Sequence, residues 1–317
     1  MTRRILVRLL QSVAVLLVMS FVVYALMGLM PGDPIDLMIA GNPHLGPADA
    51  ARLKALYGLD RPWAERWLLW LVQVAQGHLG YSRLYAKPVA AVLGPAVLAT
   101  LELMGTALAG ALLLGLPLGL RAAARPGSLF DRAANLLAFA SVSLPTFWLG
   151  LMLILLFAVR LGWLPAGGMA QVGGGGAFDR LAHLALPAAT LTVASLGQYI
   201  RHMRAAMLAE ARQDYVRTAR AKGCSPRRIA LGHQLPNALL PVVTLVALDL
   251  GGLVSGALIT ETVFAWPGMG RLIADAVMGN DFNLALTGLL LATGMTLAGS
   301  ILADLAYAGL DPRVRGE

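Results

Sequence analysis

The stretch QDYVRTARAKGCSPRRIALGHQLPNALLP, from Gln213 to Pro241, is strongly basic, whereas most of the 317-residue chain is apolar. A helical run ends at Gly223, because glycine readily takes the left-handed conformation that closes a helix. Ser225 then predicts an N-cap, and Pro226 a first helical residue. The pattern predicts two short helices joined by a hinge, held at a membrane surface where a soluble partner can grip them. The cationic side chains are Arg217, Arg220, Lys222, Arg227 and Arg228.

The composition of the whole chain indicates a membrane protein. Hydrophobic residues make up 58% and charged residues 13%, and the mean hydropathy is +0.70. Soluble domains carry about 25% charged residues. The pI of about 10.1 is compatible with nucleic-acid binding, but the hydropathy outweighs that interpretation, so we expect membrane lipid and no nucleic acid as a partner. Cys224 is the single cysteine, which excludes an internal disulfide framework, and its predicted cytoplasmic position keeps it reduced.

Six stretches are long enough to cross about 30 Å of hydrocarbon at about 1.5 Å per residue. The first is too long to be the apolar core of a cleaved signal peptide, so we interpret it as a retained helix. The sequence therefore predicts an all-α integral membrane protein with six transmembrane helices. The predicted spans are residues 9–30, 96–120, 134–159, 181–200, 239–262 and 284–308.

The predicted organisation has three parts. They are an N-terminal transmembrane helix at 1–30, an extracytoplasmic loop with short helices at 31–95, and a five-helix core at 96–317 that contains a cytoplasmic loop at 205–240. In the outer loop, Pro47 and Pro62 each predict a helix start. The second of these helices carries an apolar stripe, which either lies at the lipid interface or packs on the bundle. The stripe consists of Trp63, Trp67, Trp70, Leu71 and Val74.

Basic residues orient the bundle, because short cytoplasmic loops carry an excess of Lys and Arg. With the N-terminus inside, 16 Lys and Arg residues fall in the predicted inner segments and three in the short outer loops. The remaining six lie in the long outer loop, whose length weakens the rule. The inverted topology would place the basic segment outside. We therefore predict that both termini are cytoplasmic.

Sequence motifs for catalysis are missing. The chain has no GxxxxGK[ST] phosphate loop, so we do not expect it to bind ATP by that route, and it has no HExxH or GxSxG motif. The five histidines have no ligand-like spacing, and we interpret them as interface or surface residues. We expect no catalytic residue, no metal site and no cofactor in this chain.

Four acidic residues fall inside predicted spans: Glu102, Asp249, Glu261 and Asp304. An ionised side chain at mid-bilayer costs about 2.5–3.5 kcal/mol on insertion scales, so depth separates the four. Glu261 and Asp304 lie near predicted helix ends and are expected to reach water, and Glu102 is ambiguous. Asp249 lies about 15 Å into the fifth span, near the midplane, and is the candidate pathway residue. Two interpretations of it stay open: a hydrogen bond to a neighbouring helix, or contact with a cationic or amino-bearing solute.

The basic segment resembles the EAA loop of ABC-importer membrane subunits. That pattern is Glu-Ala-Ala, three residues, Gly, nine residues, Ile, any residue, Leu-Pro. The positions that match it are Ala219, Gly223, Leu235 and Pro236. The positions that depart from it are Arg217, Thr218 and His233. These departures resemble the dipeptide/oligopeptide/nickel branch, in which a Tyr-x-Arg-Thr-Ala-x-Ala-Lys-Gly run is usual, here Tyr215 to Gly223.

The resemblance extends over nearly the whole chain, and the order and spacing of its short motifs together are specific. The motifs are LMPGDP at 29–34, YGLDRP at 57–62, GWLP at 162–165, ETVFAWPG at 261–268 and LDPR at 310–313. By this resemblance, the loop that couples the permease to its ATPase contains Tyr215, Arg217, Thr218, Ala219, Ala221, Lys222, Gly223, Ser225, Pro226, Leu235 and Pro236.

The resemblance implies a type I ABC-importer permease-like fold in the inner (plasma) membrane, and a non-catalytic subunit that forms the pathway. The implied partners are two ATPase subunits, a second homologous permease chain and an extracytoplasmic solute-binding protein, and the implied solutes are peptides or peptide-like. The alternatives are a stand-alone secondary transporter or channel and an integral membrane enzyme. A secondary transporter is expected to show internal repeats with broken helices, and no convincing repeat is found. A membrane enzyme is expected to show a nucleophile–base or metal constellation, and none is found. The basic two-helix loop needs a partner, which favours the importer subunit.

Overall fold

The computed structural model describes residues 2–29, 52, 61–171, 173–252 and 257–310. Within this part, the chain is helical apart from its loops and one two-stranded antiparallel hairpin. The first elements are α1 (Thr2–Gly28), α2 (Trp63–Ala75), β1 (Tyr81–Ser82), β2 (Lys87–Pro88), α3 (Val89–Ala124), α4 (Leu129–Ser143) and α5 (Thr146–Leu153), which continues as a π-helix over Ile154–Arg160. The later elements are α6 (Ala177–Glu210), α7 (Asp214–Ala221), α8 (Pro226–Arg228), a π-helix over Ile229–Gln234, α9 (Leu235–Gly252), α10 (Leu258–Val263), α11 (Met269–Met278) and α12 (Phe282–Leu310).

Several of these helices have the length and composition of membrane spans. Among the described residues, four pass on both counts: Leu6–Gly28, Val89–Ala124, Pro226–Asp249 and Phe282–Leu305. The pair Leu129–Ser143 and Thr146–Arg160 adds a fifth if it is counted as one span. The fourth predicted span, 181–200, lies inside α6, which is long enough but is not among the helices that pass. Many α6 side chains are buried by neighbouring helices, so this helix does not need an apolar surface all round.

The prediction of one continuous helix over 134–159 is wrong. The two helices of this region meet at an angle of 102°. The break follows from Pro145, because a proline disfavours helical conformation at the residue before it. Leu144 is accordingly extended, with φ −84° and ψ 123°.

The fifth predicted span, 239–262, has different boundaries in the structure. Helical residues run without interruption from Pro226 to Gly252, so this span begins inside the basic segment. Residues 253–256 lie outside the described part, and α10 follows as a separate short helix. The part of the basic segment that follows the hinge and the membrane span are therefore one continuous piece of helix.

The centre of the bundle is the packing of α6 against α3 and α4. A side chain at Gly119 of α3 would place its Cβ 2.6 Å from the carbonyl oxygen of Ile200 on α6, so only glycine allows this approach. Gly197 of α6 lies equally close to the backbone of α4 at Ala138. Small residues at such crossings let helix backbones approach closely. The three helices therefore form one tightly packed unit, which fixes α6 around Gly197 and Ile200.

The apolar stripe of α2 packs on α1, which decides between its two interpretations. The rings of Trp63 and Trp67 lie 5.0 and 5.3 Å from the ring of Phe21. The Nε1–H of Trp67 donates to the Oγ of Ser20 at 3.3 Å. The predicted helix at Pro47, the motifs at 30–34 and 57–60, and residues 311–313 lie outside the described residues.

Candidate functional site

The hinge of the basic segment is closed by a Schellman motif. Gly223 has a φ of +76°, in the left-handed region. Its N–H donates to the carbonyl of Arg220 at 2.9 Å, and the N–H of Cys224 donates to the carbonyl of Ala219 at 3.2 Å. These two bonds define the motif. A side chain at Gly223 would be strained, because residues with a Cβ disfavour this conformation.

The helix after the hinge begins as predicted but is not short. The Oγ of Ser225 accepts a hydrogen bond from the N–H of Arg228 at 3.4 Å, and Pro226 is the first helical residue. The chain then stays helical to Gly252. The prediction of two short helices is therefore wrong for the second one, which is the N-terminal end of a membrane span. A force on the hinge acts directly on that span.

A small apolar core holds the two helices of the hinge together. Val216 and Ala219 of α7 and Ile229 after α8 are 0%, 6% and 4% exposed. The side chain of Cys224 packs against this cluster. The contact between Cys224 and the cluster accompanies the Schellman motif, as a hydrophobic contact commonly does. The hinge unit therefore has a fixed shape of its own.

The outer surface of this unit is cationic. Arg217 pairs with Asp214 at 3.2 Å, but both side chains are largely exposed. Within the part of the chain that the structure describes, four other cations of the segment are exposed and make no ion pair. They are Arg220, Lys222, Arg227 and Arg228. The surface therefore has a net positive charge, since Asp214 is the single acid of the basic segment.

Tyr215 attaches the hinge unit to the membrane helices. Its hydroxyl donates to the carboxylate of Glu210 at the end of α6, and it accepts from the Nδ2 of Asn237 on α9 at 3.1 Å. Burial, and then the hydrogen bond to Glu210, raise the pKa of Tyr215. The phenol therefore stays protonated and remains a donor. One side chain joins α6, α7 and α9.

The residues predicted for the coupling loop lie in this unit, from α7 to the first turn of α9, and most of them are exposed. The exposed ones are Tyr215, Arg217, Thr218, Ala221, Lys222, Gly223, Ser225, Pro226 and Pro236. Leu235 is half-buried, and Ala219 is buried in the small core. Contacts between α7 and the π-helix that follows α8 bring the two halves of the set together.

Asp249, the candidate pathway residue, lies on α9 and is half-buried. Its Oδ2 accepts hydrogen bonds from the Nε2 of Gln198 at 2.7 Å and from the hydroxyl of Tyr199, both on α6. Tyr199 is fully buried, so it fixes the position of the carboxylate. The hydrogen bond to a neighbouring helix is therefore present. It uses one carboxylate oxygen, and Oδ1 has no hydrogen-bond partner within the described residues.

Other acids in or beside the spans are ion-paired. Glu102 accepts from the Nε of Arg180 at 2.8 and 3.1 Å. Asp304 pairs with Arg8 at 2.9 Å and is half-exposed. Among the described residues, no three or more His, Cys, Asp and Glu side chains are grouped so that they could hold a metal ion.

The expectation that Glu261 reaches water is wrong, since it is 0% exposed. Its carboxylate accepts from the Oγ1 of Thr100 at 2.6 Å and from the N–H of Arg271 at 3.0 Å. The Oγ1 of Thr100 in turn accepts from the N–H of Met269 at 2.8 Å. Glu261 and Thr100 together satisfy free N–H groups in the first turn of α11, where the helix dipole favours negative charge.

Sequence reasoning missed Asp131, a buried acid near the start of α4. It accepts from Arg204 of α6 at 2.6 and 2.8 Å, and from the N–H of Gly127 at 2.8 Å. A signal was present, because Ser128 and Asp131 form the Ser-x-x-acid pattern that marks a helix start. The Oγ of Ser128 does accept from the N–H of Asp131 at 3.2 Å. That pattern predicts the cap but not the partner on α6.

Two family models match the chain. The model described as a binding-protein-dependent transport system inner membrane component matches residues 115–316. The model of the N-terminal part of such a membrane component matches residues 1–96. Together they cover the predicted outer loop and the whole basic segment.

Named relatives match over nearly their full length. A Brucella suis protein, provisionally named a peptide permease protein, is 40% identical over 317 residues and 99% of each chain. The oligopeptide transport system permease protein AppB of Bacillus subtilis is 35% identical over 309 residues, with 97% of each chain covered. The dipeptide transport system permease protein DppB of Escherichia coli is 37% identical over 318 residues, with 93% of this chain and 94% of the relative covered.

A solved structure supports the fold. The MetNI methionine ABC transporter, in an inward facing conformation, contains a chain that matches with a TM-score of 0.56. The match covers 68% of this chain and 95% of that chain at 21% sequence identity. At this identity, the likeness extends to the fold alone.

Proposed function

The chain belongs to the family of binding-protein-dependent transport system inner membrane components, and on that premise we propose that it forms one half of the pathway of an ATP-driven peptide importer. It is a permease subunit of an ABC importer, a multi-pass protein of the inner membrane. The peptide assignment is supported by relatives named as oligopeptide and dipeptide transport permeases.

The proposed assembly has several partners. A solute-binding protein delivers the peptide at the outer face, and a second, homologous permease chain supplies the other half of the pathway. Two ATPase subunits bind at the inner face, so ATP hydrolysis belongs to them and not to this chain. Both termini and the loop 205–240 lie on the cytoplasmic side, as the distribution of basic residues predicts.

The cationic hinge unit is the observation that carries this proposal. Its four unpaired cations lie on a compact unit with its own apolar core, as expected for a surface that another protein covers. Tyr215 connects the unit to Glu210 of α6, and unbroken helix connects it to α9. An ATPase subunit that binds the unit firmly can therefore move α6 and α9 together, because both helices are directly connected to it.

Reversal of charge on the hinge unit tests the proposal. The complete importer is purified with Arg227→Glu and Arg228→Glu in this chain, through a tag on this chain. The matched control reverses Arg125 and Arg132, which are also exposed and lie on the same predicted side, in the α3–α4 connection and the first turn of α4 respectively. We expect the ATPase subunits to be lost from the first variant and retained in the control. Retention of the ATPase subunits in both variants would contradict the docking site. Loss in both would also contradict it, because charge reversal elsewhere on the same side would then have the same effect.

A stand-alone secondary transporter remains the alternative class, and a vesicle experiment separates the two. We expect vesicles that contain this chain alone to take up no peptide, and uptake to require the ATPase subunits and ATP. Robust uptake by the chain alone would favour the alternative.

A further inference from the structure

Asp249 differs from the other buried or spanning acids in how its charge is balanced. Glu102, Asp131 and Asp304 are each paired with an arginine. Glu261 accepts from the first turn of α11, where the helix dipole supplies positive charge. Within the described residues, Asp249 has only the neutral donors Gln198 and Tyr199.

The carboxylate of Asp249 is held in place, with one oxygen left over. Both hydrogen bonds go to Oδ2, and they come from adjacent residues of α6. Tyr199 is itself held where α6 packs on α3, since a Cβ at Gly115 would lie 2.8 Å from the Cβ of Tyr199. Oδ1 is therefore an acceptor of fixed position and without a partner in this part of the chain.

The surroundings of Asp249 are open on one side. Leu248, its neighbour on α9, is 58% exposed, and His202, one turn along α6 from Gln198, is exposed as well. Arg201 and His202 are the nearby basic residues of α6, and neither lies within 4.0 Å of the carboxylate. We infer that in the proposed assembly this side of Asp249 faces the pathway.

We propose that Asp249 binds the ammonium group of the transported solute, which makes the pathway itself selective for a free amine. The inference rests on the proposed function and adds a ligand contact to it. An ammonium group has three donors and a positive charge, so it can use Oδ1 while Gln198 and Tyr199 keep Oδ2. Such a contact also neutralises a half-buried carboxylate that has no charged partner within the described residues, and burial of an unpaired charge is costly. Partial exposure keeps the contact weak enough for the solute to leave.

A cysteine-labelling experiment tests the ammonium site. The complete importer carries Cys224→Ser and His202→Cys, is placed in nanodiscs without binding protein, and is treated with a water-soluble maleimide. The labelling rate is measured without nucleotide, with ATP and with ADP. Two probes are compared at equal concentration: alanyl-alanine amide, which has a free ammonium group, and its N-acetyl derivative, which has none. Both lack a carboxylate, so the comparison isolates the amine.

We expect alanyl-alanine amide to slow the labelling, and to do so at a concentration at least about tenfold lower than the acetylated probe, as a charge-assisted hydrogen bond predicts. In Asp249→Asn the two probes should become equal, because asparagine still accepts from Tyr199 and Gln198 but has no charge. The matched control is Glu102→Gln, which removes one negative charge elsewhere in a span and should keep the difference between the probes.

Four outcomes would overturn the proposal. They are equal protection by both probes, an unchanged difference in Asp249→Asn, no labelling of the reporter in any nucleotide state, and loss of the second permease chain from Asp249→Asn on purification. The last outcome would mean that a cation of the partner chain, and not the solute, pairs with Asp249. Normal retention of the ATPase subunits in these same preparations separates failure of the ammonium site from failure of the proposed function.

Discussion

The basic segment and the membrane-spanning bundle hold their charges in opposite ways. On the hinge unit, four cations are exposed and have no ion-pair partner in the described structure. In the bundle, Asp131 and Glu102 are matched with arginines of α6, and Glu261 with the start of α11. Water solvates an exposed charge, whereas a buried one is costly unless it is paired. The exposed cations of the hinge unit are therefore available to the proposed ATPase partner, whereas the half-buried Asp249 is the acid for which we propose a charged ligand.

The largest effect should come from the hinge that presents the unpaired cations. We expect Gly223→Val to abolish peptide transport, because valine is strongly disfavoured at a φ of +76° and the angle between the two helices must change. Insertion and assembly should stay nearly normal, since no atom lies within 4 Å of the added Cβ. The measurement is peptide-stimulated ATP hydrolysis by the assembled importer.

Gly162→Val is the matched control for this hinge. Gly162 has a φ of +64° and equally open surroundings, but it follows the π-helix at the other end of the α5 region. The backbone strain is therefore similar, while the ATPase surface is unchanged. Normal peptide-stimulated hydrolysis in Gly223→Val, or equal loss in both variants, would contradict the assignment of the hinge as the coupling element.

The second effect concerns charge inside the bundle. Asp131→Ala should destabilise the protein by about 3 kcal/mol, because it leaves Arg204 partly buried without its partner. The carboxylate is only 5% exposed, whereas Arg204 is 25% exposed, which places the expectation at the low end for a buried pair. Thermal unfolding of the purified importer measures the loss. Arg204→Ala combined with Asp131→Ala should recover part of it, and no recovery would mean that the pair acts through packing instead.

The third effect should be smaller, because the charge of Glu261 is balanced by a helix terminus and not by an arginine. Thr100 and the N–H of Arg271 donate to different carboxylate oxygens, so Glu261→Gln keeps an acceptor for only one of them and also removes the charge that interacts with the helix dipole. We expect a loss of about 1 kcal/mol. The measurement is again thermal unfolding, with Glu261→Ala as the more severe variant, since it leaves buried N–H groups without an acceptor. Equal stability of all three proteins would contradict the capping role.

The local features of the basic segment were predictable from sequence, and the long-range ones were not. The stop at Gly223 and the cap at Ser225 depend on residues within one or two turns, so their types are sufficient to place them. The membrane class follows from composition in the same way. The angle at Leu144 follows from Pro145, but its size depends on the helices around it.

Burial and pairing depend on residues far apart in the chain, which is why Glu261 was misplaced. Its position near a predicted helix end indicates access to water, but Thr100, 161 residues away, and the start of α11 enclose it. Asp131 and Arg204 are likewise 73 residues apart. A single sequence gives no signal for such pairs. The length of the helix after Pro226 was misjudged for another reason, because the basic residues Arg227 and Arg228 hide the start of an apolar span.

The smallest effect should come from the one ion pair on the hinge unit itself. Arg217 and Asp214 are 3.2 Å apart, but their side chains are 75% and 93% exposed. Many exposed pairs contribute nothing measurable to stability. Asp214→Ala should therefore leave the thermal unfolding temperature unchanged. Asp131→Ala should lower it, although each of the two variants removes the carboxylate partner of one arginine. Asp214→Ala also removes the only acidic residue between 213 and 241, so the segment becomes more positive. Binding of the ATPase subunits should therefore be unchanged or stronger. If Asp214→Ala instead weakened ATPase binding, the ATPase subunit would have to contact Asp214 as well, and the hinge unit would not bind through its cations alone.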